Sequence, residues 1–406
     1  MKIVVKKDLP ESIILYVISF LTIFATGSAR TSTIERMAEY RIIGILLLIF
    51  MIPFVLNVIL RKKHSRQITH MMLALGFYGV LLCVRNMESA QHLFFRWAWF
   101  AFYYIVALKL YSKSADILKY IYNIIKWLTI VALVIWVSTT ILKLNIPYGT
   151  MKAESLTYYN YFQVYYVANI YRIQLWGLDT YRIQSLFWEP GVYAIFLNIA
   201  LFYNVFHKKG HGKLLELLIF FITLILTFST TGIIFGIGLI SIYLLQTELF
   251  KKIKGLVAVP ILGIAACIMF QVWMEKRATS NYKMMSYGLR VSDLLVGLRL
   301  WVDNPIIGVG YNNTTVFSML QGYGRGNSNG LITWVYTMGL VGVIAVFYPF
   351  IANVSVARRA NSGVFRQFVL LGLFVYANLT EPLQHAPLMV AMVAFQYAEL
   401  NFKRKA

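Results

Sequence analysis

Long apolar segments recur along the whole of this chain of 406 residues. About 20 apolar residues in a helix cross the hydrocarbon core of a bilayer, and most of these segments approach that length. Charged residues make up only 13% of the chain, whereas soluble domains average about 25%. The sequence therefore predicts an all-α polytopic membrane protein, with residues 1–406 forming a single integral membrane domain.

Twelve segments are predicted to be transmembrane helices. Residues 213–248 would extend about 54 Å as one helix, which is too long for a single crossing. We therefore predict a turn between two antiparallel helices at Ser229-Thr230-Thr231-Gly232. The twelve segments are residues 11–28, 41–60, 68–84, 93–111, 118–142, 190–206, 213–229, 231–248, 255–273, 330–353, 364–379 and 383–400.

The distribution of lysine and arginine predicts which connections face the cytoplasm, because cytoplasmic loops are enriched in both residues. With the N-terminus inside, the inner segments carry 21 of the 38 basic residues. The short outer segments carry only Arg30, Arg36, Arg41 and Arg85. Both termini are then cytoplasmic, and two long loops, residues 143–189 and 274–329, are extracytoplasmic.

The net charge of +22 does not indicate nucleic-acid binding, because the basic residues are dispersed between apolar segments as in membrane-flanking loops. The two cysteines, Cys83 and Cys267, lie in or beside apolar segments. A disulfide framework is therefore not predicted.

The first long loop is rich in aromatic residues from position 154 to 188. Aromatic rings offer apolar faces that can stack on the C–H faces of sugars. Trp176, Tyr181 and Trp188 are therefore predicted to contact a glycan. The alternative is a helix lying in the membrane interface, where Tyr and Trp also collect.

The same loop contains two arginines in a short internal repeat, Tyr171-Arg172-Ile-Gln and Tyr181-Arg182-Ile-Gln. Glu189 follows and precedes Pro190, a residue suited to the first turn of a helix. Glu189 is a candidate acid or base at the membrane surface. Alternatively, it only complements the helix dipole.

The second long loop contributes Arg290, Arg299 and Arg325. The guanidinium group binds phosphate through two parallel hydrogen bonds and stays charged, so these arginines predict an anion site. Asp303 is a candidate base. The alternative is that Arg290 pairs with Asp293, and Arg299 with Asp303, along one helix.

Glu381 and His385 lie in the last predicted outer turn and are candidate proton-transfer groups. His385 is alternatively a residue that only satisfies a helix end. The sequence shows no Asp-x-Asp pair, no Walker motif, and too few outer His and Cys residues for a zinc site. We therefore expect neither a metal nor a nucleotide cofactor.

Three motifs in residues 160–345 resemble those of bacterial O-antigen and capsular polysaccharide polymerases, within the O-antigen polymerase/ligase superfamily. The interval from Arg299 to Gly310 is similar to the arginine-to-glycine spacing in the second large loop of such polymerases. Members on the ligase side usually carry a His before the next helix, where this chain has Asn327-Ser328-Asn329. The motifs are Arg182…Phe187-Trp-Glu189-Pro-Gly191, Leu226-Thr-Phe-Ser229-Thr-Thr-Gly232 and Arg290…Arg299…Asn304-Pro-Ile-Ile-Gly308-Val-Gly310.

The resemblance implies a fold with about 12 transmembrane helices and two large extracytoplasmic loops, like the GT-C-like polymerase/ligase architecture. It implies a multi-pass protein of the bacterial cytoplasmic (inner) membrane. There it would transfer a growing glycan, destined for capsule or lipopolysaccharide, from undecaprenyl diphosphate to the next lipid-linked repeat unit. Its partners would be that lipid-linked oligosaccharide, the bilayer, a flippase and a chain-length regulator. The alternatives are an O-antigen-ligase-type transferase and a lipid-linked oligosaccharide flippase or transporter.

With this substrate, arginines would neutralise the departing diphosphate and one acid or histidine would deprotonate the acceptor hydroxyl. The diphosphate ligands are expected to be Arg290, Arg299 and Arg182, with Arg172 and Arg325 as outer members. The candidate bases, in order, are Glu189, Glu381, Asp303 and His385.

Overall fold

The structure is a computed structural model, and helices cover the predicted transmembrane segments that it describes. The ninth predicted segment, residues 255–273, lies outside the described residues. So do the candidate site residues Trp176 and Arg325. The described residues are 9–403 except 32–36, 61–63, 87–89, 113–116, 154–155, 176–177, 211, 247–279, 312, 314 and 322–326.

The described helices are mostly apolar. The predicted turn at Ser229 is confirmed, since one helix ends at Leu226 and the next begins at Thr230. The helices are α1 (Leu9–Gly27), α2 (Met37–Leu60), α3 (Ser65–Asn86), α4 (Ala90–Ser112), α5 (Ile117–Trp136), α6 (Pro190–Phe206), α7 (Lys213–Leu226), α8 (Thr230–Gln246), α9 (Ser280–Asp303), α10 (Thr315–Gln321), α11 (Gly330–Arg359), α12 (Val364–Thr380) and α13 (Pro387–Lys403).

Four helical segments in the described part of the chain are long and apolar enough to cross a membrane. Four shorter helices are also apolar. Apolar helices of this kind are typical of a membrane protein. The four long segments are Glu39–Leu60, Ser65–Val84, Ile117–Ile141 and Gly330–Arg359.

The first long loop forms two small antiparallel sheets, so the all-α prediction is wrong there, as is the alternative of an interfacial helix. Tyr and Thr are frequent in these strands and suit the pleated surface of a strand, so the same aromatic composition forms strands here. One sheet has the order β1 (Gly149–Ala153), β2 (Leu156–Tyr161), β3 (Tyr165–Ala168). The other is a hairpin of β4 (Arg172–Leu175) and β5 (Leu178–Tyr181).

The chain divides into two compact units. The first contains Met1–Gly44 and Ile117–Ser280, and the second contains Ile45–Asp116 and Asn281–Ala406. In the first unit, α6 is the central helix and packs against α5, α7 and α8. Its residues from 192 to 202 are all buried, which explains why this segment is apolar on every side.

Backbone hydrogen bonds join the segment before α6 to other helix ends of the first unit. Trp188 N donates to Gly27 O at the end of α1, at 3.0 Å. Ile183 N donates to Leu226 O at the end of α7, at 3.1 Å. These bonds place the residues that precede α6 at one end of the helical unit, where they are held by backbone on two sides.

In the second unit, α4 packs against α13, and α11 packs against α12 and α13. The helix α11 is broken at Gly339, whose φ of 60° and ψ of −166° are not helical. Residues 305–310 lie against this break and complete the hydrogen bonds that the helix loses there. Irregular backbone at membrane depth requires such partners, because lipid supplies none.

Four backbone bonds form this contact, which we call the α11 seam. Residues 309 and 310 donate to the carbonyls of Tyr336 and Thr337 at 2.9 and 3.0 Å. Residues 340 and 341 donate to the carbonyls of Pro305 and Ile306 at 2.8 and 3.1 Å. The Pro/Gly motif of the sequence therefore lies beside the break in α11, with Gly308 at a φ of 79°.

Candidate functional site

Arg182 is fixed at the end of the first helical unit by three contacts. Its Nε donates to the carbonyl of Thr227 at 2.7 Å, in the turn between α7 and α8. Its Cζ lies 5.4 Å from the centre of the Tyr171 ring, within the range of a cation–π contact. Its backbone N–H donates to Tyr171 O at 3.0 Å. Residues from two of the three sequence motifs, Arg182 and Thr227, therefore meet here.

The internal repeat of the first loop pairs with itself. Arg172 lies opposite Tyr181 in the β4–β5 hairpin, and Arg182 lies opposite Tyr171 just beyond it. Side chains alternate between the two faces of a strand pair. Arg182 and the exposed Arg172 therefore project from opposite faces, so the prediction that both arginines bind one diphosphate has no support from this geometry.

Glu189 occupies the N-cap position of α6, and Pro190 follows at the first helical position as predicted. The Glu189 side chain forms no capping hydrogen bond with the helix. Instead its Oε2 accepts a bond from the Tyr171 hydroxyl at 3.2 Å. The tyrosine therefore joins the carboxylate to the Arg182 guanidinium. We call Tyr171, Arg182, Glu189 and Thr227 the Arg182 network.

Tyrosine rings form a continuous cluster on the two sheets of the first loop. Tyr148 lies 5.4 Å from Tyr159 and 5.8 Å from Tyr161 between ring centres. Tyr159 lies 6.3 Å from Tyr181, and Tyr161 lies 5.9 Å from Tyr165. Burial raises the pKa of Tyr161, and the neighbouring tyrosines raise it further. Its hydroxyl therefore stays protonated and can donate hydrogen bonds to a polar ligand.

The predicted glycan contacts differ in their surroundings. Tyr181 belongs to the tyrosine cluster, and its carbonyl accepts a bond from Trp136 Nε1 at 3.1 Å. Trp188 is half-buried, and its carbonyl accepts a bond from the Tyr158 hydroxyl at 3.1 Å. Tyr148, just before β1, is 54% exposed, so the tyrosine cluster offers an accessible ring to a ligand.

In the second unit, the buried acid Asp293 was considered from the sequence only as a partner of Arg290. Its side chain is fully buried. One carboxylate oxygen accepts a bond from Gln321 Nε2. The other accepts bonds from the backbone N–H and the hydroxyl of Ser328, at 3.0 and 2.6 Å. Asp293 therefore connects α9 to the segment that begins α11. Asp293, Gly297 and Leu300 are spaced by four and three residues, which places them on one side of a helix. This spacing was the feature of the sequence that could have predicted the burial of Asp293.

Arg290 and Arg299 are both exposed on α9, but they do not share a side of it. Nine residues of helix correspond to about 13.5 Å along the axis and about half a turn. The expectation that both guanidinium groups converge on one diphosphate is therefore not met by this helix. Arg299 shares a side with Asp303, one turn further on.

Neither of these two arginines forms an ion pair among the described residues. The alternative in which Asp293 neutralises Arg290, and Asp303 neutralises Arg299, is thus not observed in that part of the chain. Asp303 is exposed at the end of α9.

Glu381 and His385 lie in the turn between α12 and α13. Glu381 is 6% exposed and ends α12 as its C-cap. The His385 ring lies 4.5 Å from that of Tyr311 and 5.7 Å from that of Trp334, between ring centres. His385 is half-buried among aromatic rings, whereas Glu189 is half-buried beside the Tyr171 hydroxyl group.

Two comparisons with known proteins return no counterpart: no family model matches the chain, and no curated protein matches it. Among the described residues, no three His, Cys, Asp or Glu side chains form a group that could hold a metal ion. The candidate site of the first unit consists of one arginine and one carboxylate joined by a tyrosine.

Proposed function

We propose that this protein is a polysaccharide polymerase of the bacterial cytoplasmic membrane. It would transfer a growing glycan from undecaprenyl diphosphate to the next lipid-linked repeat unit at the outer face. The observation that carries the proposal is the Arg182 network. It holds a permanent cation and a carboxylate on the two sides of one tyrosine, beside a surface of aromatic rings.

The chemistry of such a transfer matches these groups. Breaking the bond between the glycan and the diphosphate leaves negative charge on the leaving group, and a fixed arginine stabilises that charge. The bond from Arg182 Nε to Thr227 O uses one of five N–H donors and fixes the plane of the guanidinium. A carboxylate such as Glu189 accepts the proton of the attacking hydroxyl. The lipid-linked donor is already activated, so the reaction requires no nucleotide.

Arg290 and Arg299, both in the second unit, also remain candidate diphosphate ligands. Arg299 is the better candidate than Arg290, because Arg299 lies on the side of α9 that also carries Asp303 and leads into the Pro305–Gly310 motif. Glu381, Asp303 and His385 remain alternative bases within the proposal. The tyrosine cluster would bind the glycan by stacking on its sugar rings.

The test uses purified protein in lipid nanodiscs and the lipid-linked repeat units that accumulate in a strain lacking the gene. Wild-type protein should convert them to polymer. Arg182→Ala and Glu189→Gln should each lower the rate by about 100-fold or more, the scale of losing charge stabilisation or a general base. Arg358→Ala, an exposed arginine at the end of α11, is the matched control and should retain wild-type activity.

Deleting the gene separates the proposal from its alternatives. Loss of a polymerase leaves glycan of single repeat units at the cell surface. Loss of a ligase-type transferase leaves polymer on its lipid carrier, and loss of a flippase leaves repeat units inside the cell. Either of the last two results would contradict the proposal.

A further inference from the structure

A partly open cavity of about 570 Å³ in the second unit is lined by α3, α4, α11 and α13. Its walls are mainly apolar and include several aromatic rings, among them Tyr78, Trp97 and Phe100. None of the candidate residues for glycan transfer lines it. Apolar cavities do not bind water well, so an empty cavity of this size would forfeit many van der Waals contacts.

The cavity is elongated along the helices. On α3 its lining runs from Gln67 to Leu81, and on α11 from Trp334 to Tyr348. At 1.5 Å per residue, each of these intervals is about 21 Å. One leaflet of a bilayer core is about 15 Å thick, half of the roughly 30 Å total. The cavity is therefore long enough to hold one lipid hydrocarbon chain. At roughly 30 Å³ for a water-sized group, it has space for about nineteen such groups.

The helix α3 forms a thinly packed side of the cavity. Its apolar segment Ser65–Val84 is long enough to cross a membrane, yet only 6% of that segment is buried. The cavity also reaches the break in α11, where the Tyr78 hydroxyl donates to Met338 O at 3.2 Å. A thinly packed helix over an apolar space allows a chain to enter sideways without opening the rest of the unit.

One end of the cavity is polar and basic. Gln67 and His70 line it there, together with Asn401, whose Nδ2 donates to the Tyr104 hydroxyl at 2.6 Å. Arg66, exposed in the first turn of α3, adds a positive charge where the helix dipole also favours anions. This end suits a phosphate head group.

We propose that this cavity binds a phosphate-bearing membrane lipid, with one hydrocarbon chain between α3 and α11 and its head group near Arg66 and His70. The chemistry is shared by glycerophospholipids and polyprenyl phosphates. The inference is independent of glycan transfer, because the bound lipid is measured directly.

The test measures lipid that remains on the full-length protein after purification in detergent, by native mass spectrometry. Wild-type protein should retain about one lipid per chain, whereas Ala345→Trp, which places an indole in the cavity lining, should retain at least fivefold less. The matched control is Ile344→Trp, on a 56% exposed neighbour that does not line the cavity. Ala74→Trp provides a second cavity-filling variant in case the first does not fold.

Two further arms identify the source of the lipid. Delipidated protein is incubated separately with phosphatidylglycerol vesicles and with vesicles that contain a polyprenyl phosphate, and the retained species is identified by mass. Retention of either lipid by wild type and its loss in the cavity-filling variants supports the proposal. Equal retention by wild type and both variants, or no retained lipid in wild type, would overturn it.

Discussion

The α11 seam predicts that one added methyl group at Gly308 destabilises the second unit. Alanine at a φ of 79° costs about 1–2 kcal/mol, because the left-handed region is unfavourable for residues with a Cβ. The added Cβ would lie 2.5 Å from both the carbonyl carbon and the oxygen of Thr337. Since these are backbone atoms, the loop itself would have to move away from α11.

That movement would break the bonds that residues 309 and 310 donate to Tyr336 and Thr337. Each contributes about 0.5–1.5 kcal/mol. Together with the backbone strain, the expected loss is about 2–5 kcal/mol. In a unit of about 200 residues this corresponds to a fall in melting temperature of about 2–4 °C per kcal/mol. Gly308→Ala should therefore melt at least about 4 °C below wild type.

Gly288→Ala is the matched control. Gly288 is exposed on α9, and a Cβ there would meet no atom within 4 Å. The same substitution inside a helix stabilises by about 0.8–1 kcal/mol, so the melting temperature should stay level or rise. Both variants are compared with wild type by thermal unfolding in the same detergent. A Gly308→Ala protein that melts at or above wild type would refute the structural role of the seam.

Three further predictions concern the acids, the Arg182 network and the membrane orientation. Asp293→Asn should lower the melting temperature, because each hydrogen bond to a charged group contributes about 1.5–3 kcal/mol. Asp303→Asn, at an exposed position, should leave the melting temperature unchanged. Equal shifts in the two variants would contradict the role of burial. Tyr171→Phe retains the ring beside the arginine but removes the bond to the carboxylate of α6. Polymer formation should slow while the melting temperature changes little. An unchanged rate would show that the hydrogen bond to the Glu189 carboxylate plays no part in the reaction. In a cysteine-free background, Tyr148→Cys should react with a membrane-impermeant maleimide on whole cells, and Asn361→Cys should not. The reverse pattern would show that the predicted membrane orientation is wrong.

Most described helices coincide with predicted hydrophobic segments, and the division of residues 213–248 at Ser229 is confirmed, whereas α9 and α10 lie in the predicted second loop. The length of an apolar segment depends only on consecutive residues, so it can be determined directly from the sequence. The turn itself depends on contacts that are distant in sequence. Asn198 Nδ2, on α6, donates to Gly232 O at 3.0 Å, and Arg182 binds Thr227 O. Those partners follow only from the packed structure.

The strands of the first loop show how composition alone misleads. Tyr and Trp are typical of both an interfacial helix and a twisted sheet. The internal repeat contained the missing information. Arg172 faces Tyr181, and Arg182 faces Tyr171, so the repeated residues are those that pair across the hairpin.

The candidate site was predictable in its residue types but less so in its geometry. Glu189 and Arg182 were both expected, yet the tyrosine between them was not, because hydrogen-bond partners eighteen residues apart leave no periodic signal. The positions of Arg290 and Arg299 on opposite sides of α9 could have been predicted from the sequence. Once their segment is a continuous helix, a spacing of nine places them on opposite sides.

The α11 seam joins loop and helix through main-chain atoms alone, in four bonds with a fixed order. The side chains at positions 307 and 309 contribute no atom to those bonds, so the bonds do not depend on which residues stand there, although Val309 also packs against the buried cluster of Leu300, Phe317 and Tyr336. The bonds do depend on the number of residues between Pro305 and Gly310. One inserted residue would shift each donor past its acceptor and leave peptide groups unsatisfied beside the break at Gly339. This segment should therefore tolerate amino-acid substitutions far more readily than insertions or deletions.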